Sequence, residues 1–250
     1  MKVRKLALSA VLTALSFVLN EFVSIPIPPT SSPILTLTVG MIPIMFIAYY
    51  CGIFYSSICA VVADLLGFFL IGASKGYAFN PGFTINALFG GLVFGLIMRY
   101  KDKLDGKKGT MIIVILEVAI TAITIPLFSY GFVKTDLGSL YENKYYLFII
   151  DGFAILLNLA IVLYSILSRK IQSSNAIIIS FIIYQYVVSL LLTPTWLIIM
   201  AGSSGLRIFY FWITRLISAP LTIIISCFLT KLVLIPVRKA YKPLDNKENS

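Results

Sequence analysis

The chain has 250 residues, of which 59% are hydrophobic and only 12% charged, and its formal net charge is +10. With a mean hydropathy of +0.98 it carries too little polar surface for a water-soluble enzyme domain, and that class is excluded. It contains no histidine, so the usual general base, the commonest zinc ligand and the near-neutral pH switch are all missing.

A helix that crosses the hydrocarbon core of a bilayer needs roughly 20 apolar residues, because its backbone groups must be satisfied within the segment. Eight stretches meet this need: Leu6 to Ser24, Ile34 to Tyr50, Gly52 to Gly72, Phe83 to Arg99, Thr110 to Phe128, Tyr145 to Leu167, Ala176 to Met200 and Ile208 to Leu234. The second and third are continuous, and a split near Tyr49–Gly52 is expected because Gly52 permits a tight turn. The predicted fold is an all-α polytopic bundle of eight transmembrane helices in the lipid bilayer, forming one membrane domain over residues 1–239. A polar tail follows over 240–250.

Fifteen of the twenty basic residues fall on one set of flanks, around Lys2–Lys5, Arg99–Lys108, Arg169–Lys170 and Lys231–Lys247. The opposite flanks carry only Lys75, Lys134, Lys144 and Arg207, while Arg215 lies inside the last stretch. Cytoplasmic flanks are the lysine- and arginine-rich ones, so both termini are expected in the cytoplasm. This placement reads as membrane topology, and no nucleic-acid partner is expected. The first stretch lacks a small-x-small cleavage site and is expected to remain as a mature helix.

Cys51, Cys59 and Cys227 lie in apolar runs without metal-ligand spacing and read as small core residues. No metal or cofactor is expected. No phosphate-cradling G-x-x-x-x-G-K-[ST] loop occurs, so energy from ATP would have to come from a partner. Gly202, Ser203, Ser204 and Gly205 spell the G-x-S-G of an intramembrane serine protease, but that mechanism requires a histidine. A catalytic role is not expected.

Ionisable residues at membrane depth are costly and therefore candidates for function. Asp64, Asp151 and Arg215 each fall about 8 to 13 Å in from the outer ends of their helices at the helical rise, and they are expected to share one layer. Arg215 is expected either to contact an anionic or acceptor-rich ligand or to be held by Asp64 or Asp151, the candidate ion-pair partners. Glu117 lies deeper, where packing against a polar helix neighbour explains it. Lys75, Tyr77, Phe79 and Asn80 on an outer loop, Thr84 and Asn86 at the start of the fourth stretch, and Trp196 and Arg207 near the end of the seventh and start of the eighth supply cationic, stacking and hydrogen-bonding groups for a flat, polar-edged ligand. Singly, Tyr77, Phe79 and Trp196 also read as interfacial anchors. Ala7, Ala10 and Ala14 leave a low-relief face on the first helix, and Gly91 with Gly95 makes a second small pair whose default role is packing.

The stretches Gly40-Met-Ile-Pro43, Ala63-Asp64-Leu-Leu-Gly67, Gly76-Tyr-Ala-Phe-Asn-Pro-Gly-Phe-Thr84, Gly90-Gly-Leu-Val-Phe-Gly95 and Thr193-Pro-Thr-Trp-Leu197, with Arg215 beyond, resemble the substrate-binding S component of energy-coupling-factor (ECF) vitamin transporters, in particular the folate-specific group. The resemblance implies a receptor that captures a vitamin at the outer face and docks on a transmembrane coupling protein driven by two ATPase subunits. It gives Ala10 and Ala14 the role of the A-x-x-x-A docking surface. It also implies a prokaryotic plasma membrane and a six-helix core over 6–100 and 176–235, with residues 110–167 as an inserted helix pair. Asn20 and Glu21 depart from the folate group, where a basic residue is expected late in the first helix. The alternatives are an S component for another vitamin and a stand-alone carrier in which Asp64, Glu117 or Asp151 relays protons.

Overall fold

The computed structural model describes residues 2–23, 25–27, 35–37, 39–72, 79–134, 145–168, 174–201, 215 and 218–234. Lys75, Tyr77, Arg207 and the 240–250 tail lie outside the described residues.

Helix α1 (Lys2–Phe22) is followed by a two-stranded antiparallel ribbon, β1 (Ile25–Ile27) and β2 (Leu35–Leu37), in which Pro26 faces Thr36. A ribbon of two strands is all edge, and so it accommodates a proline that cannot donate to the ladder. Then come α2 (Met41–Cys51), α3 (Ile53–Gly67), which ends in a π-helical turn (Phe68–Gly72), and α4 (Pro81–Arg99). The short α5 (Lys101–Leu104) leads to α6 (Lys107–Lys134) and α7 (Tyr145–Leu167). Helix α8 (Ser174–Ile183) runs through a π-helical segment (Tyr184–Leu192) into α9 (Thr193–Ala201), and α10 spans Ser218–Leu234.

Every one of the eight apolar stretches contains a helix, and five described segments are long and apolar enough to cross a membrane. The second stretch departs from its expected course: Ile34 to Tyr50 divides into β2 and α2, and α2 has only 11 residues. At the helical rise it extends about 16 Å, roughly half the hydrocarbon core. Its continuous apolar character reflects burial in protein, since Ile42 through Ala48 are all buried. The same holds for α8, where Ser174 through Ile182 are buried.

The break between α2 and α3 falls at Gly52, whose φ of 92° belongs to the region that favours glycine. Helix α4 is the hub: it packs on α2, α3, α8, the π segment and α9. Its small residues allow close approach, since a Cβ on Gly91 would stand 2.5 Å from the Ser56 carbonyl oxygen and one on Gly95 would overlap the Ile53 backbone. The Ser56 hydroxyl donates to the Gly91 carbonyl at 2.8 Å, which ties the two helices together where they nearly touch. Helices α6 and α7 pack on each other and on α8. Large apolar side chains along α1, α6 and α7, such as Val11, Met111, Val118, Leu156 and Leu159, are exposed. Such a surface is stable only against lipid.

Candidate functional site

The polar residues gather where the N-terminal end of α4 meets the C-terminal part of α3, the π segment and α9. Asn80 starts the site by capping α4: its Oδ1 accepts from the Gly82 N–H at 2.8 Å, and Pro81 occupies the first helical position. The Asn80 side chain is buried, at 6% exposure, and its Nδ2 has no hydrogen-bond partner among the described residues. Gly82 receives the face of Trp196, since a Cβ there would overlap the indole ring.

One turn further into α4, Asn86 joins two segments. Its Oδ1 accepts from Trp196 Nε1 at 3.1 Å, and its Nδ2 donates to the Thr193 hydroxyl at 3.1 Å. The Thr193 hydroxyl in turn donates at 3.0 Å to the Val188 carbonyl, which also accepts the Thr193 backbone N–H where the π segment gives way to α9. Thr84 donates to Asp64 Oδ2 at 2.8 Å, across the α3–α4 interface. On the far side, Arg215 Nη1 donates to the Ser189 carbonyl at 2.7 Å and to the Ser189 hydroxyl at 2.9 Å. Tyr184 stands within electrostatic reach of both Arg215 and Asp64, and its ring would touch a Cβ on Gly90.

Asn80, Thr84, Asn86, Trp196, Asp64 and Arg215 are thus brought into one neighbourhood. Arg215 and Asp64 do not form a salt bridge with each other: each has taken a neutral partner. Asp151 is buried on α7. Phe79, next to Asn80 in the chain, is half exposed, with its ring centroid 5.0 Å from Phe68 and 6.3 Å from Phe69. Asn20 and Glu21 press on Gly40 and Gly67, with Glu21 Oε1 3.1 Å from where a Gly67 Cβ would be. This brings a carboxylate to within a helical turn of Asp64. Ala10 and Ala14 are exposed on α1, while Ser9, Thr13 and Ser16 face inward. Tyr184 and Ser189 were not foreseen, although each is a polar interruption of an apolar run.

The family model for the ECF transporter, substrate-specific component, matches residues 4–150, more than half of the chain. The chain belongs to that family. As an S component it is a non-catalytic, multi-pass subunit of the cell membrane, and the family implies vitamin-type substrates together with coupling and ATPase partners. The matched interval takes in α6, part of the pair read from the sequence as an insertion, and stops short of α8 to α10. No curated protein and no solved structure matches this S component.

Proposed function

We propose that this S component binds folate at the Asn80–Trp196 neighbourhood, facing outward, and delivers it by docking through the Ala10–Ala14 face of α1 on a coupling protein that two ATPases drive. The observation that carries the placement is Asn80. A buried amide with an unspent donor is costly, and a ligand acceptor would satisfy it. Around it, Asp64 and Arg215 offer opposite charges held by neutral partners, so each can exchange a weak bond for a charge-assisted one.

Folate suits this set chemically. Its pterin ring presents a row of N–H donors to a carboxylate and a flat face to Trp196 or Tyr184, and its glutamate end presents carboxylates to a guanidinium. Lys75, Tyr77 and Arg207, which the sequence assigns to the same side, complete the proposed mouth. The charge pattern of the flanks supports the outward orientation with both termini in the cytoplasm. Mass spectrometry of small molecules retained by the purified chain tests the substrate: folate is expected, and another vitamin at stoichiometric occupancy would replace it.

A further inference from the structure

A second polar cluster lies in the interface between the α6–α7 pair and the π segment, away from the Asn80–Trp196 site. Glu117, within α6, is only 2% exposed, and neither carboxyl oxygen has a hydrogen-bond partner among the described residues. Thr121, one turn on, shares its helix face. Thr121 Oγ1 accepts from Asn158 Nδ2 of α7 at 2.9 Å, and Asn158 Oδ1 accepts from the Tyr186 hydroxyl at 3.0 Å. Tyr186 is itself within electrostatic reach of Glu117. The carboxylate therefore lies on the same face of α6 as one end of a hydrogen-bonded chain of neutral oxygens drawn from three elements.

A lone carboxylate at membrane depth is strongly disfavoured. Protonation is the other way to remove the charge, and a neutral carboxylic acid predicts no dependence on the cation present. The ligating atoms on offer are hard oxygens of a carboxylate, an amide and two hydroxyls, a set that suits a hard cation over a transition metal. One negative charge balances one positive charge. Among the described residues no three His, Cys, Asp or Glu side chains gather, so the several carboxylates usual for a divalent ion are missing.

We infer that Glu117, Thr121, Asn158 and Tyr186 form a binding site for a small monovalent cation of the sodium type, which pins the α6–α7 pair to the π segment. The site does not depend on which vitamin is carried. The test is thermal unfolding of the full chain, purified in detergent, at fixed neutral pH and constant ionic strength, with sodium chloride exchanged for choline chloride. Sodium is expected to raise Tm saturably, by about 3–6 °C at ten times its Kd. Glu117→Gln should abolish this dependence and Thr121→Val should shift the midpoint to several-fold higher sodium. Should Glu117→Gln fail to fold, binding of radioactive sodium to the wild-type chain, displaced by unlabelled sodium and not by choline, supports the site. Equal Tm in the two salts, full sodium dependence in Glu117→Gln, or no displaceable sodium binding would overturn it.

Discussion

Trp196 and Asn86, which lie on α9 and α4, are joined by an indole N–H···Oδ1 hydrogen bond of 3.1 Å. This bond and the contact of the ring with Gly82 fix the indole over the start of α4. Its orientation therefore depends on two residues of α4 and not only on its own helix.

Asn86→Ala removes both the bond to Trp196 and the bond to Thr193. Folate affinity is expected to fall about 10- to 100-fold, the equivalent of one to two hydrogen bonds at a buried site. Equilibrium binding to the detergent-purified variant measures it. Gly82→Val, which displaces the indole directly, should produce a loss of similar size.

Arg215→Ala takes the only described cation from the neighbourhood, and its proposed contact with the ligand carboxylates predicts the larger effect, at least about 100-fold in Kd. Arg215→Lys should recover only part of the affinity, because an ammonium cannot reproduce the planar fork. Titration with folate and with a pterin lacking the glutamate end separates the two: the truncated ligand should be insensitive to either change.

Asn175 binds three segments at once. Its Nδ2 donates to the Gly106 carbonyl at 2.9 Å and to the Thr110 hydroxyl at 3.2 Å, and its Oδ1 accepts from Ser165 at 3.1 Å. Asn175→Ala should cost about 1–3 kcal/mol of stability, because it removes these hydrogen bonds and takes away the acceptor of the buried Ser165 hydroxyl. The expected outcome is a Tm lowered by several degrees with the ligand Kd unchanged.

Ala10→Trp and Ala14→Trp each place a bulky ring on the exposed face of α1, where no described part of this chain packs. Folate binding should persist. Co-purification with the coupling protein and ATP-dependent uptake should both be lost, and retention of either would assign docking to another face.

Thr84 and Asn86 were legible in the sequence because polar side chains at the start of an apolar helix need partners, and the structure supplies them. Gly52 was legible for a similar reason, as a turn residue inside an apolar run too long for one crossing. Tyr184 and Ser189 were not, since a tyrosine or serine in a membrane stretch resembles a lipid anchor or a backbone-bonded hydroxyl. The π segment that aims them shifts the helical register without any residue-level mark. The half-length of α2 was hidden too: hydropathy does not distinguish a side chain buried in protein from one immersed in lipid. Nor does hydropathy reveal that Ile25–Ile27 and Leu35–Leu37 pair as strands, because such short apolar segments fit either state.

The most direct measurement is folate accumulation in proteoliposomes that contain this chain with and without the coupling protein and its ATPases. The chain alone should bind folate stoichiometrically and concentrate none in the lumen, and addition of the partners with ATP should start uptake. Concentrative uptake by the chain alone would contradict its role as a passive capture subunit.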